Sequence, residues 1–261
     1  MGAKRMGCAV SKDPEVYYDL DGHIAYIVLA SVARRNALGA SLVSALTDAL
    51  CKAIADEVRV AVISSVENSP AWSSGFAIDE LPEVPDGAWP HPLAELTALI
   101  RGVPFPVVAA VTGGAWGGGF ELALSCDAII AEEDAVFALT PARLGVAYDA
   151  QALDRIAERL PRHLAMGMIM TADPVHARRL HEVGVVWEVA HGHDGVRASA
   201  RALAETTSAR APLTLAAAKA VFQGLDPQVI DQRAIQAWTS RDYREGAAAF
   251  KERRSANFRG Q

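Results

Sequence analysis

The sequence of 261 residues has few cysteines, no excess of basic charge and no long hydrophobic run. Its three cysteines, Cys8, Cys51 and Cys126, are scattered and form no CxxC pair, which argues against a disulfide framework or a cysteine zinc site and favours a reducing compartment. The formal net charge of −6 argues against a broad nucleic-acid-binding surface. No run approaches the length of a membrane span, and no apolar core of a secretory signal follows the N-terminus. We therefore predict a soluble, cytoplasmic protein with neither a nucleic-acid nor a membrane partner.

Hydrophobic residues, by contrast, are abundant. They make up 51% of the chain, and charged residues make up 21%, which is the composition of a folded protein rather than a disordered one. Residues 16–30 predict a β-hairpin whose turn is Asp21-Gly22, a dipeptide that tight turns favour. Ser41 then resembles the N-cap of an amphipathic helix, because leucine and isoleucine recur at four-residue spacing after it.

Four short, continuous hydrophobic runs predict strands that are covered on both faces of a sheet, at residues 58–66, 106–111, 127–131 and 183–189. Helical stretches separate these runs, and such alternation is typical of the α/β class. From about Val196 onward the sequence is helical. We predict an α/β core over residues 12–195 and a helical C-terminal region over residues 196–261.

The glycine-rich segment TGGAWGGG (112–119) lies between a predicted buried strand and a predicted helix. Glycines at a helix start let a ligand approach the backbone, and the first N–H groups of the helix favour negative charge. The spacing fits neither GxGxxG nor a P-loop, so an oxyanion is a better candidate ligand than a phosphate. Glu121 follows in the first turn, where a carboxylate can move a proton at a carbon whose charge those N–H groups stabilise. The alternative is that the glycines only allow tight packing and Glu121 only complements the helix dipole.

A second amide for such an oxyanion hole is expected from the turn at residues 71–81, which follows another predicted strand and should lie at the same sheet edge. The N–H of Phe76, just after Gly75, is the candidate. Ser73 and Ser74 lack a GxSxG elbow, so a serine nucleophile is not expected.

No metal site is predicted. His191, His193 and Asp194 are close in sequence, but they read as an exposed loop without further ligands.

Several segments together resemble the crotonase superfamily, also called the enoyl-CoA hydratase/isomerase family. They are ARRNAL (33–38), WSSGFAIDEL (72–81), AAVTGGAWGGGFELALSCD (109–127), FALTPARLGV (137–146) and AFKERRSANFRG (249–260). Between Gly117 and Asp149 the resemblance is greatest to carnitinyl-CoA dehydratase-type members. The resemblance implies a core of repeated ββα units wound as a spiral, with a C-terminal helical appendage for trimerisation. It also implies a homo-trimer or a dimer of trimers, an acyl-CoA thioester as substrate and no separate cofactor, since coenzyme A is part of the substrate.

The resemblance also assigns roles to individual residues. Phe76 and Gly118 would donate the two backbone N–H groups to the thioester oxygen, and Glu121 would be the first catalytic carboxylate. The residues that would contact the substrate or its CoA are Ala33, Arg34, Ala37, Gly75, Gly117, Tyr148, Phe250 and Arg253. Among them, Phe250 and Arg253 would reach a CoA held mainly by a neighbouring subunit.

The sequence departs from the family pattern where hydratases carry a second glutamate, because Pro141 stands at that position. Ala77 replaces a common aspartate, and Phe76 is bulky where a small residue is common. Asp149 is the best candidate for the missing acid, with Tyr148 beside it as a possible proton donor. The alternative for Asp149 is a helix N-cap.

These observations predict an enoyl-CoA hydratase-like lyase with Glu121 as acid/base. Two alternatives stay open: an enoyl-CoA isomerase that uses Glu121 and Asp149, and a non-catalytic acyl-CoA-binding protein, since Pro141 carries no proton. A thioester decarboxylase or hydrolase is compatible with the pattern, but no distinct residue in the sequence supports it.

Overall fold

The computed structural model describes residues 14–81, 93–148 and 150–261, which form nine strands, eleven α-helices and two short 3₁₀ helices. The strands are β1 (Val16–Asp21), β2 (Ile24–Leu29), β3 (Val60–Ser65), β4 (Val107–Val111), β5 (Gly114–Trp116), β6 (Ala128–Glu132), β7 (Val136–Ala138), β8 (Val175–His176) and β9 (Glu188–Ala190). The α-helices are α1 (Ala40–Ala55), α2 (Ala94–Gly102), α3 (Gly118–Ser125), α4 (Pro141–Leu144), α5 (Ala150–Arg159), α6 (Arg162–Thr171), α7 (Ala177–Glu182), α8 (Gly192–Ser208), α9 (Pro212–Phe222), α10 (Pro227–Thr239) and α11 (Arg241–Glu252). The 3₁₀ helices are Val32–Arg34 and Ile78–Glu80.

A six-stranded sheet in the order β1-β2-β3-β4-β6-β9 forms the centre of the fold. In this sheet β2, β3, β4, β6 and β9 are parallel, and β1 pairs antiparallel with β2 through the predicted hairpin. A smaller sheet, β5-β7-β8, lies apart from it. The chain therefore repeats a ββα unit. One unit is β4-β5-α3 and the next is β6-β7-α4, and in each the first strand joins the large sheet and the second joins the small one. The predicted α/β class is confirmed.

The parallel strands are hydrophobic on both sides because both faces of the large sheet are covered. Ile27, Ile63 and alternate residues of the neighbouring strands point into the main core with α1, α2 and α3. The opposite face, which includes Val62 and Val108, packs against helix α8 through Val196, Ala200 and Ala204. The predicted division between residues 195 and 196 falls inside this helix, and the division into two domains stays a prediction.

Two local predictions are wrong. Helix α1 begins at Ala40 after Gly39 rather than at Ser41, because the Glu80 carboxylate, in the 3₁₀ helix Ile78–Glu80, accepts the Ala40 N–H at 2.7 Å and caps helix α1. The strand expected over residues 183–189 is shorter. Val185 and Val186 donate their N–H groups to the Leu180 carbonyl and so close helix α7 instead of extending the sheet.

Helix α9 is attached to the core by a buried lysine. Lys219 donates from Nζ to the carbonyls of Ile100 and Phe105 at 2.8 and 2.9 Å, and it pairs with Asp127 at 2.7 Å. Along the described ranges, no helix is long and apolar enough to cross a membrane.

Candidate active site

The two segments that were predicted to form an oxyanion hole lie side by side. Ser73 donates its N–H to the Gly114 carbonyl at 3.2 Å, and Trp116 donates back to the Ser73 carbonyl at 3.0 Å. This parallel pairing carries the turn that follows β3 alongside β5. Gly75 and Phe76 are thereby brought up to the start of helix α3.

Two glycines allow the close approach of these backbones. Gly75 has a φ of +91°, and a β-carbon added to it would lie 2.4 Å from the Trp116 carbonyl oxygen and 3.3 Å from the Gly118 nitrogen. A β-carbon on Gly118 would lie 3.3 Å from the Phe76 nitrogen. The amides of Phe76 and Gly118 are therefore neighbours, as the sequence-based hypothesis requires.

At the start of helix α3, some backbone N–H groups are used within the helix and that of Gly118 is not. Those of Phe120 and Glu121 donate to the Gly117 carbonyl at 3.0 and 3.1 Å, so the helix uses them internally. Gly118 is the first helical residue, and its N–H has no acceptor among the residues that the structure describes. A helix start of this kind favours a negatively charged oxygen.

Glu121 is buried on this helix and forms an ion pair that the sequence did not reveal. Its Oε1 accepts a hydrogen bond from Nη2 of Arg155 on helix α5 at 2.9 Å. The side chains of Glu121 and Arg155 are only 2% and 16% exposed. In the sequence, the one weak indication that Arg155 is partly buried is its place next to Ile156 in a helix rich in charged residues.

Tyr148 places a phenol next to the glycine turn. Its hydroxyl lies 3.6 Å from the position that a Gly117 β-carbon would occupy. Burial and the negative charge of Glu121 raise the pKa of Tyr148 well above its ordinary value, so the phenol stays protonated at neutral pH. The hydroxyl is buried and has no hydrogen-bond partner within the described part of the chain.

The position at which the resemblance predicts a second glutamate holds Pro141, which carries no acid. Pro141 is buried at the start of helix α4, where a residue without an N–H is tolerated. Ala77 is also buried. Asp149, the predicted replacement acid, lies outside the described residues, so its predicted role stays a prediction.

The ARRNAL segment is connected directly to the Phe76 turn. Leu38 donates its N–H to the Gly75 carbonyl at 2.7 Å, and the buried Asn36 side chain donates to the Trp72 carbonyl at 3.0 Å. Ala33 and Arg34 are exposed, and Ala37 is half-buried. Arg34 pairs with Asp79 at 2.8 Å, so its charge is shared at the surface.

The C-terminal candidates lie at the surface of the single chain. Phe250 is 87% exposed near the end of helix α11, and the exposed Arg253 ends that helix with a φ of +55°. Their predicted role toward a neighbouring subunit stays a prediction.

No group of three or more potential ligands that could hold a metal ion exists in residues 14–81, 93–148 and 150–261. The segment around His191 is not the exposed loop that was expected. Helix α8 begins at Gly192, and His191 binds the Glu133 carboxylate.

The family model described as enoyl-CoA hydratase/isomerase matches residues 19–261. The chain is 30% identical over 236 residues to methylmalonyl-CoA decarboxylase of Escherichia coli K12, covering 86% of this chain and 90% of that protein. It is 33% identical over 244 residues to carnitinyl-CoA dehydratase of Salmonella heidelberg SL476, covering 87% of this chain and 92% of the relative. A crystal structure of methylmalonyl-CoA decarboxylase complexed with 2S-carboxypropyl-CoA matches with a TM-score of 0.77 at 28% identity, covering 97% of this chain and all of that one.

Proposed function

Because the chain belongs to the enoyl-CoA hydratase/isomerase family of the crotonase superfamily, we propose that it is an enzyme that converts an acyl-CoA thioester through an enolate. In this proposal the N–H groups of Phe76 and Gly118 bind the enolate oxygen. Preorganised amides stabilise charge that develops in the transition state far better than they stabilise the neutral thioester. The observation that carries the proposal is the approach of these two amides across Gly75 and Gly118.

Decarboxylation of a thioester with a carboxylate on its α-carbon fits the side chains of the site best. Breaking the bond between the α-carbon and the carboxylate releases CO₂ and leaves the electron pair as the enolate, so no protein base is needed. This matters because Pro141 occupies the place of the second glutamate and Glu121 is paired with Arg155. The α-carbon then takes up one proton, for which the protonated Tyr148 is the proposed donor; solvent returns that proton to the phenol.

The similarity to methylmalonyl-CoA decarboxylase supports this reaction class. A second candidate is hydration or dehydration of a 2-enoyl thioester with Glu121 as acid/base. It is favoured by the place of Glu121 in the first turn of α3 and by the similarity to carnitinyl-CoA dehydratase. The isomerase alternative depends on Asp149.

The reaction class is tested by offering the purified protein methylmalonyl-CoA and, separately, a 2-enoyl-CoA in water enriched in oxygen-18. We expect release of CO₂ and formation of propionyl-CoA from the first substrate. Oxygen-18 in the product of the second, without CO₂ from the first, would favour the hydratase. If the protein binds both thioesters in calorimetry but converts neither, it is a binding protein. Absence of any binding would overturn the proposal.

Tyr148→Phe is expected to lower the decarboxylation rate by about 10²-fold, the contribution of a typical general acid. The ring is retained, so the pocket keeps its shape and the substrate KM should change little. Tyr26→Phe is the matched control, because Tyr26 also carries a buried hydroxyl without a hydrogen-bond partner in the described ranges but lies on strand β2. Equal rates for the two variants, measured as CO₂ release, would remove Tyr148 from the mechanism.

A further inference from the structure

The buried ion pair between Glu121 and Arg155 joins two elements that are distant in sequence. Glu121 belongs to the first turn of helix α3, and Arg155 lies 34 residues later on helix α5. We infer that Arg155 is a positioning residue that fixes the direction of the Glu121 carboxylate in the active site and places a positive charge beside it. The inference rests on the proposed acyl-CoA chemistry, since a positioning residue needs a reaction to support.

The Glu121 carboxylate is deeply buried, and a buried charged group is stabilised by an opposite charge in direct contact with it. A guanidinium is suited to this task, because it is always charged and its rigid planar donors set the direction of the acceptor. The N–O distance of 2.9 Å and the low exposure of both side chains mean that water competes little with the contact. Helix α5 thereby determines where the Glu121 carboxylate points.

The ion pair also changes the electrostatic environment of the substrate and of Tyr148. An uncompensated Glu121 would repel a substrate that carries its own carboxylate, whereas the paired one presents a nearly neutral surface. The charge of Glu121 also acts on the Tyr148 phenol, so the two groups are electrostatically coupled. Loss of Arg155 is therefore expected to disturb the reaction through Glu121, although Arg155 itself need not touch the substrate.

Helix α5 provides a matched control. Arg159 lies one turn further along the helix and lines the same narrow crevice beside Glu121. Its Nη2 donates to Gln223 at 2.6 Å rather than to Glu121. Arg159→Met thus removes an arginine from the same helix and crevice without unpairing Glu121.

The test measures kcat and KM on whichever thioester the unchanged protein converts, for Arg155→Met, Arg155→Lys, Arg159→Met, Glu121→Gln and the double variant Arg155→Met/Glu121→Gln. We expect Arg155→Met to lower kcat by about 10²-fold with a smaller change in KM. In hydration the Glu121 carboxylate would no longer be placed to act as acid/base, and in decarboxylation its uncompensated charge would oppose the negative charge that develops on the enolate oxygen. Arg155→Lys should recover part of the loss, because an ammonium restores the positive charge but not the planar geometry of the guanidinium. In the Glu121→Gln background, Arg155→Met should change kcat by less than about twofold, because two residues that act through one contact are not additive.

The double variant also covers the case in which Arg155→Met fails to fold, since it removes both charges of the ion pair. Rates are referred to the folded fraction measured by circular dichroism. If Arg155→Met behaves like Arg159→Met while the unchanged protein is active, the inference is wrong and the proposed function stands. The inference is also wrong if the losses from Arg155→Met and Glu121→Gln multiply independently. If the unchanged protein converts no thioester, the proposed function fails and the inference fails with it.

Discussion

Gly75→Ala is expected to lower kcat/KM by about 10²- to 10³-fold, the loss seen when one oxyanion-hole donor is removed. The added β-carbon would lie 2.4 Å from the Trp116 carbonyl oxygen, a backbone atom that cannot rotate away as a side chain can. Gly75 also has a φ of +91°, which residues with a β-carbon rarely adopt. The turn must therefore move, and the Phe76 amide moves with it.

A control substitution at a second glycine separates the steric collision at Gly75 from the cost of backbone strain alone. Gly184 has a φ of +78°, but a β-carbon there would meet no atom of the described residues within 4 Å. Gly184→Ala therefore imposes a similar conformational cost away from the glycine turn, and we expect its kcat/KM to stay near that of the unchanged protein. Steady-state kinetics on folded protein checks both variants. Equal activity of the two would mean that the approach of the Phe76 and Gly118 amides does not support the reaction.

The approach of these two amides could be predicted because it follows from topology. The strands that precede the two turns read as buried runs, and parallel strands place their carboxyl ends at one edge of a sheet. Gly75 and Gly118 then mark the positions where two backbones come close. These signals are local in sequence, and the rule that joins them is general.

The small sheet could not be predicted in the same way. Strand β5 has three residues, Gly114–Trp116, and β8 has two, so neither shows a hydrophobic period. Hydrogen bonds with Ser73 and the pairing with β7 make β5 a strand, and both partners are distant in sequence.

The Arg155–Glu121 pair illustrates a similar limit on predicting the site. Which side of helix α5 faces helix α3 depends on the packing of the whole core, whereas the sequence of α5 shows only a charged helix. The positions that the structure buries on α5, Ala152 and Ile156, do not identify the face that Arg155 occupies. Glu121 could thus be predicted from the glycines beside it. Its partner Arg155 could not be predicted, because no local sequence pattern indicates an ion pair between residues that lie 34 positions apart.

Lys219→Met is expected to lower the free energy of unfolding by about 3 kcal/mol, at the lower end of the range for breaking a buried ion pair. The Lys219 side chain is 3% exposed, and that of its partner Asp127 is 20% exposed, so solvent screens part of the interaction. The substitution also leaves the buried carbonyls of Ile100 and Phe105 without their lysine donor. Burial lowers the pKa of Lys219, but the Asp127 carboxylate opposes that shift and favours the charged form.

Unfolding by urea, followed by circular dichroism, measures this difference. Lys251→Met is the control, because Lys251 is exposed on helix α11, and its unfolding free energy should stay close to that of the unchanged chain. The result bears on how the C-terminal region is held. Since Lys219 joins helix α9 to the end of helix α2 and to Asp127, its loss should destabilise the core and the helical region together, in one transition. If the C-terminal helices unfold in a separate, earlier transition, or if Lys219→Met is as stable as Lys251→Met, then Lys219 does not stabilise the contact between the core and the C-terminal helical region.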